Sequence, residues 1–297
     1  IDVITAHDRY GVNQLASHII GHLDGDGNGA TGIEKAFNDL LIEMGGSVQV
    51  QYTVDALRQP IPGKPSKIVD TRHNQATGVV LTLDKELQQA AEDTMSTVER
   101  GALVVMDCHT GEILASVSRP NFDPNNLAQY LQDESSPLVN RAFSEFAVGS
   151  TFKLMVAGAA LENGIPISQT YTCTGYRMVD GVRFNCNNLT GHGTLTMHDA
   201  IVQSCNAYFV GLIGDLGPNS VQRLADLVGF GKSTLLAQDY ASGTGILPTQ
   251  SQLAEGPEAA NFSFGQGKLM ATPLQIAQMI STIANGGYQV TPRLVQG

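Results

Sequence analysis

The sequence predicts an α/β (α+β) fold, an antiparallel sheet with helices packed against it, preceded by a small α+β piece. Three observations predict it. Two apolar strand-like runs, GALVVMD and EILASVS, are joined by the short CHTG connection and read as a β-hairpin. A long helix-rich block follows them, the order expected when helices pack on an antiparallel sheet. The chain has 297 residues, 42% hydrophobic and 15% charged, which is too apolar for a disordered polymer.

Residues 1–75 read as a separate α+β region with a linker. ASHIIGHL is apolar, DGDGNGATG is a turn cluster, and IEKAFNDLLIEMGG reads as a short helix with Gly at its end. SVQVQYTVDA alternates as a strand does, and the Pro- and Lys-rich RQPIPGKPSK marks an extended crossing. Residues 76–297 form the larger domain. GVVLTL is strand-like, Asp84 caps a helix through DKELQQAAEDTMSTVE, and the CHTG hairpin follows. After the loop RPNFDPNN comes the helical block, in which Thr196 and Asp199 form a capping pair ahead of MHDAIVQ.

Composition excludes several functions. A net charge of -11 argues against a phosphate-binding surface, so nucleic acid is not an expected partner. No apolar run approaches the roughly 18 residues of a membrane span. The chain opens at Ile1 without a Met or a signal peptide, and a membrane anchor outside this chain is expected.

Two metal readings are weak. In DGDGNGATGIEK, Asp24, Asp26, Asn28 and Gly29 match early calcium-loop positions, but Lys35 stands where a bidentate carboxylate is required. Glu34 comes one residue early, so a Gly-rich turn is the better reading. The four cysteines, Cys108, Cys173, Cys186 and Cys205, contain no C-x-x-C. Cys173 and Cys186 bracket YRMVDGVRFN, a hairpin turning at Asp180-Gly181, and are either a cross-strand disulfide or two free thiols. Adding His192 gives no regular metal-ligand spacing, so His192 is read as a loop residue and no metal is expected.

The chemistry-bearing stretch is FAVGSTFKLMVAGAALENG. Ser150 at the head of a helix is an N-cap or a nucleophile. Lys153 shares its helix face, and burial could leave that amine neutral enough to act as a base. Backbone N–H groups at the helix start suit a developing oxyanion. Downstream, Ser204-Cys205-Asn206 breaks a helix and could aim Ser204 and Asn206 into a cleft, although S-x-N alone also fits a plain turn.

S-x-x-K followed by S-x-N, in that order, is part of the signature of penicillin-binding proteins and class A β-lactamases. With GALVVMDCHTGEILASVSRPNFDPN, LVNRAF, VGSTFK, GHGTLTMHDAIVQSCNAYF and NFSFGQGKLMATPLQIAQMISTIANGG around them, the chain resembles the class B penicillin-binding proteins from about Ala76 onward. IIGHL and TGIEKAFNDLL resemble that family's N-terminal pedestal or dimerisation region. The resemblance implies a serine-transpeptidase-like fold with helices on both faces of the sheet plus a helical subdomain.

It also implies roles. Ser150 would be the acylated nucleophile and Lys153 its base. Ser204 would relay a proton to the leaving group, and Asn206 would hold substrate amides and orient Lys153. Cys205 fills a variable position. The implied activity is D,D-transpeptidation of peptidoglycan stem peptides on the outer face of the bacterial cytoplasmic membrane. β-Lactams would act as trapping mimics, a glycosyltransferase or other wall-synthesis proteins as partners, and no cofactor is needed. A D,D-carboxypeptidase, a β-lactamase or a non-catalytic β-lactam sensor would share the fold.

Two departures stand out. Val148 replaces a Pro common before GSTFK. No K-T-G occurs: His109-Thr110-Gly111 precedes the nucleophile, and Ser242-Gly243-Thr244-Gly245 lies upstream of the GQG stretch. The K-T-G strand is expected after Gly297, outside this chain.

Overall fold

The computed structural model describes residues 9–11, 13–44, 48–70 and 78–296. The N-terminal region carries three short helices, α1 (Ser17–Ile20), α2 (Gly32–Ala36) and α3 (Asn38–Met44). It also carries the antiparallel pair β1 (Val48–Gln51) and β2 (Lys67–Asp70). IEKAFNDLLIEM is therefore two helices rather than one. Phe37 leaves helical geometry and closes α2, and Asn38 Oδ1 accepts a bond from Gly29 N–H, which ties the next turn to the preceding loop. The Gly residues expected to end this helix, and the boundary expected at residues 75–76, lie outside the described residues. The DGDGNG stretch is a turn in which Asp24 Oδ1 accepts from the N–H groups of Asp26 and Asn28.

Asp84 caps α4 (Lys85–Thr94) by accepting from the N–H groups of Glu86 and Leu87. The predicted hairpin forms as β3 (Gly101–Met106) and β4 (Ile113–Arg119), paired antiparallel. His109 and Thr110 belong to its turn, where both N–H groups bond to Asp107 Oδ1. Strand alternation puts Leu103, Val105, Ala115 and Val117 against Ala91 of α4 and Met95 just after it. Ala102 and Val104 pack with Leu274 of α11 (Pro273–Ala284), which gives the sheet a helix on each face. Ala16, Ile19 and Ile33 join that second cluster, so the N-terminal helices share a core with the sheet.

GVVLTL does not form a strand. Leu81 makes one isolated bridge to Val295, and Thr82 Oγ1 donates to the carbonyls of Ile113 and Arg293. Its partner is a terminal segment rather than a neighbouring strand.

The second lobe is built on α5 (Lys153–Glu162), α6 (Met197–Val202), α7 (Asn206–Leu216) and α8 (Pro218–Val228). Before α5, β5 (Phe146–Ala147) pairs with β12 (Met270–Ala271). Between α5 and α6, β6 (Tyr171–Cys173) pairs with β9 (Gly193–Leu195), and β7 (Tyr176–Val179) pairs with β8 (Val182–Asn185). Asp180 and Gly181, both at positive φ, make the expected hairpin turn. A small pair, β10 (Leu235–Ala237) and β11 (Tyr240–Ala241), and two helices, α9 (Gln250–Leu253) and α10 (Gly256–Phe262), complete the set. Phe152, Tyr208, Phe209, Phe230 and Phe262 are fully buried together. This aromatic core carries the residues singled out in the sequence.

Candidate active site

Ser150 lies in a 3-10 turn, Gly149–Phe152, that leads directly into α5. It is exposed, and no side-chain capping bond is made at the head of either helix. Of the two sequence readings, the N-cap is therefore not realised. The hydroxyl instead lies 3.1 Å from Lys153 Nζ, as the three-residue spacing predicts. Two glycines allow the approach to this turn. Gly149 has φ +69°, and its N–H bonds to Gly265 O of the GQG stretch; any Cβ on Gly265 would sit 2.0 Å from Gly149 O.

The S-x-N segment reaches the same lysine from far along the chain. The Thr196–Asp199 capping box starts α6, and Ser204 ends it at φ +52°. The N–H of Cys205 bonds to Ala200 O and that of Ser204 to Ile201 O, a helix stop at which glycine is usual. A serine holds this left-handed position because its oxygens are used. Lys153 Nζ lies 2.7 Å from Ser204 O, 3.0 Å from Ser204 Oγ and 2.7 Å from Asn206 Oδ1. The Asn206 amide nitrogen donates to Asn185 O on β8, which fixes its orientation. The structure thus brings together all four predicted residues, Ser150, Lys153, Ser204 and Asn206. Asn185 was not singled out from the sequence, since it contributes only a carbonyl.

Lys153 is 2% exposed and has no carboxylate partner among its contacts. Burial lowers its pKa to about 8, against the opposing influence of Cys186 and Cys205. With its pKa lowered, the amine can reach a neutral form. Two N–H groups can donate to Ser204 O and Asn206 Oδ1, and the lone pair is left for the proton of Ser150 Oγ.

His192, read from the sequence as a loop residue, lies in the structure beside three cysteines. Cys173, Cys186, His192 and Cys205 each bring one ligand atom to a common point, all within 4.8 Å of one another. The cysteines are not joined in disulfides, so Cys173 and Cys186 are two free thiols. β6–β9 pairing sets Cys173 opposite Gly193, beside His192, and Gly191 packs so close to Cys173 O that a Cβ would lie 2.3 Å from it. Burial pushes the Cys205 thiol up to about 12. At Cys186 burial acts in the same direction, but the N–H groups of Ala207, Asn188 and Asn206 outweigh it and lower the pKa.

Comparison with known proteins places the chain in a family. The family described as penicillin binding protein transpeptidase domain matches residues 101–297. The chain is 35% identical over 292 residues to the peptidoglycan D,D-transpeptidase MrdA of Acinetobacter baumannii, covering 90% of this chain and 42% of that protein. The penicillin-binding protein PBP2 of Helicobacter pylori superposes with a TM-score of 0.79 at 27% identity, covering 95% of this chain and 58% of that one. Penicillin-binding protein A of Mycobacterium tuberculosis, in a structure described as a ceftriaxone acyl-enzyme complex, superposes with a TM-score of 0.69 at 28% identity over 75% of this chain and 54% of that one. The chain spans about half the length of the curated relatives it matches, 42%, 45% and 48% for three of them.

Proposed function

We propose a function from one premise: the chain belongs to the penicillin-binding-protein transpeptidase family, among the class B penicillin-binding proteins. The proposed reaction is D,D-transpeptidation of peptidoglycan stem peptides through an acyl-enzyme on Ser150. The observation that carries it is a buried lysine amine, 3.1 Å from an uncapped serine hydroxyl and oriented by Ser204 and Asn206.

Lys153 takes the proton of Ser150 Oγ as that oxygen attacks the carbonyl carbon between the two terminal D-alanines. The Ser150 N–H, at the mouth of the 3-10 turn, is one donor to the resulting oxyanion. Ser204 Oγ, 3.0 Å from Nζ, passes the proton to the departing D-alanine amine, leaving an ester on Ser150. An amine on a neighbouring stem peptide then attacks the ester, forms the cross-link and returns the serine. Asn206 holds the substrate amide through the Nδ2 hydrogen that is not given to Asn185 O. A β-lactam follows the first half of this path and stays as an ester on Ser150.

The further expectations are proposals on the same footing. The protein works on the outer face of the cytoplasmic membrane, and its anchor belongs to the remainder of a longer protein. Residues 1–75 serve as the pedestal, and residues 76–297 as part of the transpeptidase domain. Other wall-synthesis proteins, a glycosyltransferase among them, are its partners. Among the described residues, no helix is long and apolar enough to cross a membrane.

Incubating the full-length protein with a pentapeptide-bearing peptidoglycan fragment tests this. D-Alanine release together with cross-linked dimer is the expected result. Release without dimer supports a carboxypeptidase instead, and neither product, from protein that folds, sinks the enzymatic reading.

A further inference from the structure

The β7–β8 hairpin carries a cation that the proposed reaction leaves without a role. Its register places Met178 opposite Arg183 and Tyr176 opposite Asn185, so these four side chains share one face. That face is exposed, while Phe184 on the other is buried with Val210 and Ala260. The Arg183 guanidinium sits over the Tyr176 ring, 3.9 Å from its centroid, and its Nε donates to Asn185 Oδ1 at 3.0 Å. A ring beneath it and an acceptor at Nε hold this planar cation in one orientation. Among the described residues its two terminal nitrogens make no hydrogen bond, and it forms no ion pair. Asp180, the carboxylate of its own hairpin, turns instead to the start of α10, into the space a Cβ on Gly256 would need.

Its position gives this cation a use, which rests on the transpeptidase reading. Asn185 orients Arg183 through its side chain and Asn206 through its backbone carbonyl, so one residue links the guanidinium to the side chain that holds the substrate amide. From Ser150 Oγ, contacts of 3.1, 2.7, 3.1 and 3.0 Å lead through Lys153, Asn206 and Asn185 to Arg183. A peptide acylated on Ser150 covers that reach with a few extended residues, at about 3.3 Å each.

We propose that Arg183 binds a free carboxylate of the donor stem peptide, upstream of the two D-alanines, and so selects stems that are acidic there over amidated ones. The two terminal nitrogens present the parallel N–H pair that a carboxylate accepts. Met178, exposed on the same face, and the Tyr176 ring give the aliphatic part of an acidic side chain an apolar surface to lie on. Two carboxylates of a stem peptide share this chemistry: that of a second-position glutamate and that of a third-position diamino acid. Arg183 acts on specificity and not on the bond that breaks.

The test measures D-alanine release by the full-length protein from pentapeptide-bearing peptidoglycan fragments that are free, amidated at the second position only, or amidated at the third only. One amide and not the other is expected to lower kcat/KM about tenfold, mainly through KM, and that arm identifies the carboxylate. Arg183→Gln should lose the same factor on the free donor and nothing further on that amidated donor, the non-additivity of two groups in contact. Arg183→Lys should recover part of the loss, because it keeps the charge without the planar fork. Acylation by benzylpenicillin, whose acyl side carries no carboxylate, should fall in Arg183→Gln by far less than reaction with the free donor does. Equal losses on every donor and on benzylpenicillin would mean that Arg183 only supports the hairpin, and would overturn the proposal. Losses that simply add, or a wild type indifferent to both amides, would overturn it as well while leaving the proposed function standing. Wild-type protein that takes benzylpenicillin on Ser150 yet releases D-alanine from no donor would sink the transpeptidase reading, and this proposal with it.

Discussion

Two arms meet at Lys153, and they are built in opposite ways. Ser150 arrives by local geometry, since it and Lys153 lie three residues apart across one turn of continuous helix. Ser204 and Asn206 arrive from 51 and 53 residues away, on a helix break. The first arm needs only a helix and a close-packed GQG loop. The second depends on a left-handed serine, a capping box upstream, the β8 carbonyl of Asn185 and the thiol–imidazole cluster behind it. The first arm should therefore tolerate disturbance elsewhere in the fold, whereas the second should be sensitive to its supports.

Removing the point where both arms meet should have the largest effect. Lys153→Met is expected to slow acylation by a fluorescent penicillin by about 10²–10⁴-fold, the usual worth of a positioned base. A loss below tenfold, measured on a time course of labelled protein, would show that Ser150 is activated some other way.

Ser204→Gly separates backbone from side chain. Glycine suits φ +52° better than serine, so thermal stability should hold or rise by up to about 1 kcal/mol. Acylation should nevertheless fall by about 10-fold or more, because Oγ is gone. Equal losses of stability and rate would mean that the residue is only a helix stop.

The pH profile follows from the buried amine. Below about 8 the folded state protonates Lys153, so the acylation rate should climb about tenfold per pH unit up to that point and then level. The stability linkage has the same sign. The folded pKa lies below the ordinary lysine value of 10.5, so the unfolded chain binds more protons in between, and this group's contribution to stability rises with pH from about 8 to 10.5. A rate that is flat from pH 6 to 9 would contradict the assignment of Lys153 as base.

The smallest effect belongs to the upstream support. Thr196→Ala removes the cap of α6 and should cost about 1 kcal/mol in chemical denaturation, with only a several-fold change in acylation. If the same substitution left acylation untouched while destabilising the fold, the S-x-N segment would be held without α6.

What could be read from the chain divides along the same line. The Asp84 cap, the CHTG hairpin, the Asp180-Gly181 turn and the Thr196–Asp199 capping box are local devices, and each is realised where its residues stand. Ser150 and Lys153 were legible for the same reason. GVVLTL misled because its β-like residues find only one isolated bridge, to a segment near the other end of the chain. IEKAFNDLLIEM was one apolar pattern, yet the bond from Gly29 N–H to Asn38 breaks it.

The cysteine–histidine cluster was hidden by tertiary pairing. Its spacing follows no ligand motif, and only the β6–β9 register, the close packing at Gly191 and the turn at Ser204 bring the four residues together. The available signal was composition: three of the chain's four cysteines and a Gly-flanked histidine fall between residues 173 and 205.

The central claim is that Ser150 is the acylated residue. Full-length protein treated with benzylpenicillin, digested and read by tandem mass spectrometry tests it directly. The account predicts a penicilloyl ester on Ser150 that is absent from Lys153→Met at short times. An adduct on another residue, or none on protein shown to be folded, would contradict it.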